Sequence, residues 1–114
     1  MADAPLAQRT CKPCEGGTEP LPRSAVEKLL EDVSGWELID EHLIRKTVTC
    51  KNFLDAIALM HEIAPIAEAQ DHHPDLHLTR YKRLTIELST HAIGGLSEND
   101  FILAAKIDQL LTSR

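Results

Sequence analysis

Apolar residues recur along the chain with two periods, and these periods predict its secondary structure. Spacing by three and four residues predicts one helix that begins at Ser24, a second over residues 52–70 and a third that begins after Ser97. Alternation of apolar and polar residues predicts four strands, at residues 36–39, 43–50, 76–80 and 84–90. The order α-β-β-α-β-β-α contains two hairpins, so we predict an α+β fold in which a four-stranded antiparallel sheet carries three helices packed on one face.

Short-range signals mark the ends of two of these helices. Ser24 and Glu27 have the spacing of a capping box, and Gly35 is typical of the position just after a helix. The first helix is therefore predicted to lie between Ser24 and Gly35. Ser97 and Asp100 have the same spacing, so the third helix is predicted to begin with a capping box as well.

The second helix is apolar over much of its surface. Its predicted buried stripe has helical spacing and contains Phe53, Ile57, Met60, Ala64 and Ala67. Pro65 lies within this helix, where it removes one backbone hydrogen bond and clashes with the preceding turn, so we expect a kink one turn before it. In the second strand, Lys46 interrupts the apolar face, which predicts that this strand lies at a sheet edge or a subunit contact.

Length and composition limit the functions that the chain can have. With 114 residues, 43% of them hydrophobic and 26% charged, it has the composition of one soluble globular domain. A net charge of -6 argues against a general nucleic-acid binder, because phosphate contacts need a basic surface. The sequence contains neither an apolar run of about 18 residues, which a membrane helix requires, nor a signal-peptide pattern. Three cysteines, an odd number, favour a reducing cytoplasmic compartment over a disulfide framework.

Residues 1–22 are rich in proline and glycine and poor in large apolar residues, which predicts a flexible arm before a domain at residues 23–114. Cys11 and Cys14 in this arm have the spacing of half a zinc knuckle or of a redox pair. Zinc normally needs four ligands and no second pair of this kind follows, while a redox pair would lie between a strand and a helix. The sequence therefore favours an incidental pair over a functional one.

Histidines and carboxylates are concentrated at the predicted end of the second helix. The residues concerned are Glu68, Asp71, His72, His73, Asp75 and His77. Strand alternation places His91 on the face opposite the apolar residues of the fourth strand, and the second hairpin brings it to the same end of the sheet as His72 and His73. Two imidazoles across a small pocket suit general acid and base catalysis, and Glu68 or Asp71 could orient one of them.

A metal site built from His72, His73 and His77 with a carboxylate is the competing hypothesis. Pro74 interrupts the spacing of these histidines, and the chain has no His-Glu-x-x-His helix motif. His61 lies at the edge of a helical stripe, where we interpret it as a surface residue. The sequence therefore favours acid/base chemistry without a metal.

A longer pattern connects these residues. It reads Glu68-x3-His72-His73-Pro74-x6-Tyr81-x9-His91-x8-Asp100, with Leu88-Ser89-Thr90 directly before His91 and Gly95-Leu96-Ser97 shortly after it. This pattern resembles the signature of the pterin-4a-carbinolamine dehydratases, and the resemblance covers about residues 22–112. One departure concerns the tryptophan that animal members carry shortly after His-His-Pro, since Leu76 and His77 occupy that region here.

The resemblance implies a hydro-lyase that removes water from 4a-hydroxytetrahydrobiopterin or a related pterin, gives the quinonoid dihydropterin and so recycles the tetrahydropterin. It implies that His72 and His91 are the catalytic acid/base pair. Substrate-binding or supporting roles would fall to four further residues, His73, Asp71, Glu68 and Asp100. Helix capping alone also explains Asp100, and the pattern does not say which histidine is the acid.

The resemblance also implies a homodimer or homotetramer that uses no metal and no organic cofactor. The alternative hypothesis is a pterin-binding or assembly protein without this turnover, either related to molybdopterin metabolism or acting as a dimerisation cofactor. The sequence leaves open the physiological pterin, the choice between dimer and tetramer, the role of the arm and the presence of a partner aromatic amino acid hydroxylase.

Overall fold

The computed structural model describes residues 5–12 and 19–114, and their elements follow the predicted order. The helices are α1 (Arg23–Leu30), α2 (Phe53–Gln70) and α3 (Glu98–Ser113). The strands are β1 (Glu37–Ile39), β2 (Leu43–Thr49), β3 (Asp75–Thr79) and β4 (Arg83–Leu88). Two short 3-10 helices, Leu6–Gln8 and His91–Ile93, lie in the arm and after β4. The predicted α+β fold is confirmed.

The four strands form one antiparallel sheet in the order β1-β2-β4-β3. Each hairpin pairs its own two strands, and β2 pairs with β4 in the middle of the sheet, where Ile44 lies opposite Leu88. The turn between β1 and β2 contains Asp40 and Glu41, which both have a positive φ, 49° and 62°. Two positive φ values in succession are what a type I′ hairpin turn requires.

The prediction that β2 lies at a sheet edge is wrong, because β2 pairs with β1 on one side and with β4 on the other. Lys46 interrupts the apolar face of β2 for a different reason. Its Nζ donates to Asp108 Oδ1 at 2.7 Å and to the carbonyl oxygen of Ser34 at 2.6 Å, and it lies 5.9 Å from the centroid of the Trp36 ring. The lysine therefore joins the sheet to α3 through a charge-assisted hydrogen bond.

The core lies between one face of the sheet and the helices α2 and α3. The large apolar residues that are fully buried there are Ile44, Leu84, Ile86 and Leu88 from the sheet, Leu59 and Ile63 from α2, and Phe101, Leu103 and Ile107 from α3. The opposite face of the sheet carries polar side chains, among them Arg45, Thr47, Thr85 and Glu87. Strand alternation thus divides the sheet into a helix-covered face and an open face, as predicted.

The buried face of α2 differs from the predicted stripe. The buried residues are Ala56, Leu59, Ile63 and Ala67, so Ala67 is the one member shared with the prediction. Phe53 and Ile57 are 52% and 41% exposed. Both sets have helical spacing because α2 is apolar on several sides, and periodicity alone does not choose between them. The helix continues through Pro65, and the kink expected near it stays a prediction.

The two predicted capping boxes have different outcomes. α3 begins with the predicted box, in which the Ser97 N–H donates to Asp100 Oδ2 at 3.0 Å. The box predicted for α1 is wrong, because the helix begins at Arg23 and Ser24 lies inside it without a cap bond. The carbonyl oxygen of Pro22 already accepts the first helical N–H groups, so α1 starts before Ser24.

α1 also ends earlier than predicted. Its last residue is Leu30, and residues 31–35 form turns that lead to β1. Gly35 has a φ of 77°, the left-handed conformation that glycine adopts without steric cost. The glycine therefore shapes the connection to β1 rather than the end of the helix.

Residues 5–12 of the predicted arm pack against α3. Leu6 is 6% exposed and belongs to the core. The guanidinium of Arg9 pairs with the Glu98 carboxylate at 3.0 Å, and Lys106 Nζ donates to the carbonyl oxygen of Ala7 at 2.7 Å. This part of the arm is thus held by one buried side chain, Leu6, and by two polar contacts that follow it in the chain.

Two predictions about the arm are untested. Cys14 lies outside the described residues, so nothing is shown of its relation to Cys11. The domain boundary placed at residue 22 stays a prediction. In the described part of the chain, no helix is long and apolar enough to cross a membrane.

Candidate active site

Two histidines, His72 and His73, follow the end of α2 and lie at one end of the sheet. Asp71 follows the helix in the left-handed conformation, with φ 50° and ψ 40°. Its N–H donates to the carbonyl oxygen of Glu68, and the N–H of His72 donates to that of Ala67, both at 3.2 Å. This is the hydrogen-bond pattern of a Schellman motif, and a short polar residue tolerates its left-handed position. The chain then turns through His72 and His73 into β3.

His72 is held by a buried carboxylate. Its Nε2 donates to Asp100 Oδ1 at 2.6 Å; Asp100 is 0% exposed and the His72 side chain 11%. The second oxygen, Oδ2, accepts the Ser97 N–H at 3.0 Å and the Thr90 hydroxyl at 2.9 Å. Because the carboxylate accepts at Nε2, the proton of a neutral His72 ring lies on that nitrogen and Nδ1 is its acceptor.

His73 is paired with a carboxylate in a different environment. Its Nε2 lies 2.5 Å from Glu68 Oε2, and the two side chains are 55% and 75% exposed. An exposed ion pair contributes only about 0–1 kcal/mol, because water screens it and two side chains lose rotamer freedom. Glu68 therefore orients the His73 ring without locking it in place.

His91 lies in the segment that follows β4. It is the first residue of the 3-10 helix His91–Ile93, and the strand before it ends at Leu88. The sequence predicted a strand up to residue 90, but Thr90 forms only a single bridge with Gly95 and the chain turns there. The position of His91 therefore depends on this turn and not on strand alternation.

The three histidines line one open cavity of about 550 Å³. The end of α2 and the turn after it contribute Ala69, Gln70, Asp71, His72 and His73. The remaining lining residues are Ser89, Thr90, His91 and Ala92 after β4, Asn99 in α3, and Cys11 and Lys12 in the arm. The structure thus brings the two histidine groups together at one end of the sheet, as the second hairpin led us to expect.

His77 lies outside this cavity, on the open face of the sheet. Its Nε2 is 3.1 Å from Glu87 Oε1, and Arg45 Nε donates to the other oxygen of Glu87 at 2.7 Å. Burial acts to raise the pKa of Glu87, but the hydrogen bonds from Arg45 and His77 outweigh it and hold the pKa below its usual range. The competing metal hypothesis required His77 beside His72 and His73, and among the residues described no three His, Cys, Asp or Glu side chains gather as metal ligands.

Comparison with known proteins agrees with the histidine pattern. The family model described as "Pterin 4 alpha carbinolamine dehydratase" matches residues 19–110, which is most of the chain. The chain belongs to this family. The resemblance inferred from the spacing of the histidines is thereby confirmed, and so is the predicted enzyme class, a hydro-lyase.

Relatives of this dehydratase family member come from bacteria and plants. A protein from Nitrosomonas eutropha, provisionally named a pterin-4-alpha-carbinolamine dehydratase, is 48% identical over 109 residues, which are 95% of this chain and 95% of that protein. The Arabidopsis thaliana protein named pterin-4-alpha-carbinolamine dehydratase 2, mitochondrial, is 40% identical over 111 residues, covering 94% of this chain and 59% of its own. A crystal structure from Brucella melitensis, described as a transcriptional coactivator/pterin dehydratase, has a TM-score of 0.75 and 30% identity over 81% of this chain and 98% of that one.

The residues predicted for the dehydratase site fall into two structural groups. Those that line the cavity are Asp71, His72, His73 and His91. Glu68 and Asp100 do not line it, but they bond to His73 and His72 respectively. The other lining residues include Cys11, Lys12, Gln70 and Asn99, which the sequence interpretation did not assign to the site. No periodicity marks these four, since they meet only when the arm packs onto two helix ends.

Proposed function

We propose that this family member removes water from a 4a-hydroxytetrahydropterin, such as 4a-hydroxytetrahydrobiopterin, to give the quinonoid dihydropterin and so recycle the tetrahydropterin. One observation carries the proposal: His72, held by the buried Asp100, shares a cavity with His91. The names of the family and of the relatives support the same reaction.

The reaction needs one proton donor and one proton acceptor. The bond between carbon 4a and the hydroxyl oxygen breaks, and a proton delivered to that oxygen releases it as water. The neighbouring ring nitrogen gives its proton to a base, and its electron pair forms the new double bond to carbon 4a. No oxidant or reductant takes part. A well-placed acid or base contributes about 100- to 10,000-fold in rate to such a step.

His72 and His91 have different surroundings, which suit these two tasks. Asp100 accepts from Nε2 of His72, so this ring keeps one tautomer and offers Nδ1 to the substrate. His91 is exposed, so its ring exchanges protons with water between turnovers. We therefore assign the proton transfers to these two rings, with Asp100 acting through His72.

The remaining predicted residues would bind the pterin. A pterin ring presents an amino group and ring N–H groups that donate, and a carbonyl oxygen and ring nitrogens that accept. Asp71 and His73 lie at the cavity and carry matching groups, and Glu68 orients His73. In this assignment Asp71, His73 and Glu68 set the position of the ring and transfer no proton.

We also propose that the subunit forms a homodimer or a homotetramer. Phe53, Leu54 and Ile57 on α2 are 52%, 79% and 41% exposed. Large apolar side chains that gather on one exposed helix are typical of a subunit contact. The outer strands β1 and β3 offer further surfaces that pair across a twofold axis. A cytoplasmic location remains the prediction made from the cysteine content.

The proposed reaction is tested by following the decay of chemically prepared 4a-hydroxytetrahydrobiopterin. The protein should accelerate this decay in proportion to its concentration, and EDTA should not change the rate. Binding of pterins without any acceleration would contradict the proposal and favour the pterin-binding alternative. Loss of activity in EDTA, together with stoichiometric zinc in the protein, would favour the metal hypothesis.

A further inference from the structure

The arm reaches the histidine cavity after a first attachment to α3. That attachment consists of the buried Leu6, the Ala7 carbonyl oxygen that accepts from Lys106, and the Arg9–Glu98 ion pair. The chain then continues to Cys11 and Lys12, which line the cavity. What these two residues do depends on the contacts that hold this second part of the arm.

Two side-chain amides hold the second part. The Cys11 N–H donates to Gln70 Oε1 at 2.8 Å, and the Lys12 N–H donates to Asn99 Oδ1 at 2.9 Å. Asn99 Nδ2 donates back to the carbonyl oxygen of Lys12. Asn99 is 7% exposed, so an amide withdrawn from water uses its acceptor and its donor on the backbone of one residue. A bond of this kind is costly to leave unmade.

These two amides are neighbours of the residues that hold the histidine. Gln70 is the last residue of α2 and lies two positions before His72, while Asn99 directly precedes Asp100. The arm therefore joins the same two helix ends that the His72–Asp100 hydrogen bond joins. A displacement of the arm would open the cavity at the point where the catalytic ring is positioned.

We propose that Cys11 and Lys12 form a wall of the pterin cavity, and that Gln70 and Asn99 are the positioning residues that hold this wall against the bound ring. The match to the dehydratase family begins at residue 19, so the wall lies outside the matched region. The inference rests on the proposed function, because the pterin is the molecule that the wall contacts.

The wall contacts the substrate but transfers no proton. Its displacement should weaken binding of the substrate and of the transition state alike, which raises KM and leaves kcat nearly unchanged. One lost contact of hydrogen-bond strength corresponds to about a 5- to 10-fold change in affinity. The loss of His72, in contrast, should lower kcat.

Three single variants of the full chain test the wall. Gln70→Ala removes the acceptor of the Cys11 N–H, and Gln70→Glu keeps an acceptor oxygen there. Gln109→Ala makes the same truncation at an exposed position of α3 outside the cavity. With 4a-hydroxytetrahydrobiopterin, Gln70→Ala should raise KM about 5- to 10-fold and keep kcat within about twofold. Gln70→Glu should restore most of the lost affinity, and Gln109→Ala should have the wild-type KM.

Amide hydrogen exchange, followed by NMR, gives a readout that does not depend on turnover. Saturating 7,8-dihydrobiopterin should slow exchange at Cys11 and Lys12 in the wild-type protein, because the bound ring covers the wall. In Gln70→Ala the same amides should exchange faster and gain less protection. If Gln70→Ala does not fold, Asn99→Asp replaces it, since the aspartate keeps the acceptor for the Lys12 N–H and loses the donor.

The outcomes separate the wall from the proposed reaction. If the enzyme is active and Gln70→Ala has the wild-type KM, the proposed wall is wrong and the proposed dehydratase function is retained. Equal losses of kcat in that variant and in His72→Ala would also overturn the wall, since it would then act on proton transfer. A wild-type protein that does not turn over the substrate, yet shows protection of Cys11 and Lys12 by 7,8-dihydrobiopterin, would overturn the reaction and retain the wall.

Discussion

Asp100 performs two tasks with one carboxylate. Oδ2 caps α3 by accepting the Ser97 N–H, and Oδ1 accepts from Nε2 of His72. The side chain is fully buried, so neither contact is screened by water. The start of α3 therefore sets the position and the tautomer of the imidazole ring. A change at this residue should therefore affect folding and, in the proposed reaction, proton transfer as well.

Replacing Asp100 by Asn separates charge from shape. The amide keeps the size of the side chain but has one acceptor oxygen where the carboxylate has two, so His72 loses the group that selects its tautomer. We expect kcat to fall at least about tenfold, which is part of the 100- to 10,000-fold contribution of an acid or base. Steady-state kinetics at saturating substrate measures this loss.

The matched control for that variant is Asp108→Asn on the same helix. Asp108 accepts from Lys46 Nζ, far along α3 from the cavity, so its replacement should lower the free energy of unfolding and leave kcat unchanged. The role assigned to Asp100 is wrong if Asp100→Asn, correctly folded, turns over substrate as fast as this control.

The histidines of the site could be predicted from the sequence, whereas the contact between His72 and Asp100 could not. The spacing of His72, His73 and His91 is visible along the chain, and it resembles one family. Helix capping accounts for Asp100 at the level of sequence, so no unexplained polarity pointed to a second partner 28 residues away. Gln70 and Asn99 are likewise residue types that are common at the ends of helices.

Among the elements, α2 presents apolar side chains on two faces. Ile63 on one face is 0% exposed, while Ile57 on another is 41% exposed. Helical spacing fits both faces, and the choice between them is made by packing against the sheet and α3. The sequence could therefore predict the extent of α2 but not the side that it buries.

The same truncation on each face of α2 tests this assignment. Ile63→Ala leaves a cavity in the core and should lower the free energy of unfolding by about 2–5 kcal/mol. Ile57→Ala should cost less than about 1 kcal/mol in a dissociated subunit, because a surface substitution leaves no cavity. Urea denaturation at a low and a high protein concentration measures both, and a larger cost of Ile57→Ala at the high concentration would come from the proposed subunit contact. Equal costs of the two variants at both concentrations would show that the buried face is misassigned.

The open face of the sheet carries an ion pair that acid should break. Burial acts to raise the pKa of Glu87, but hydrogen bonds from Arg45 and His77 outweigh it and lower the pKa in the folded state. A folded pKa below the unfolded value means that the contacts stabilise the fold above an unfolded pKa of about 4.3. That stabilisation is lost as the pH falls through the lower folded pKa.

Glu87→Gln should therefore be less stable than the wild type near neutral pH. The difference between their free energies of unfolding should shrink as the pH falls through the lowered folded pKa, below which the wild-type carboxyl is protonated as well. Urea denaturation of both proteins at neutral pH and in acid gives the two differences. A difference that stays constant or grows as the pH falls would contradict the lowered pKa.

At the scale of the whole molecule, the sequence predicts that the helices pack on one face of the sheet. It does not predict the order of the strands within the sheet. Alternation and turn residues are local, and they predict both hairpins and the helix-covered face. The central β2–β4 pairing joins residues such as Ile44 and Leu88 that are far apart in the chain, and local periodicity carries no information about it. The composition of the arm predicts no packing, yet Leu6 enters the core and side-chain hydrogen bonds hold Cys11 and Lys12.

We propose above that His72 and His91 form the acid/base pair of one cavity. The most direct test is the kcat of His72→Ala, His91→Ala and the double variant on 4a-hydroxytetrahydrobiopterin, with circular dichroism as the check on folding. Each single variant should lose about 100-fold or more, and the double variant should show no acceleration over the uncatalysed decay. His61→Ala, exposed on α2 outside the cavity, should keep the wild-type rate. A folded double variant that retains the wild-type rate would contradict the account.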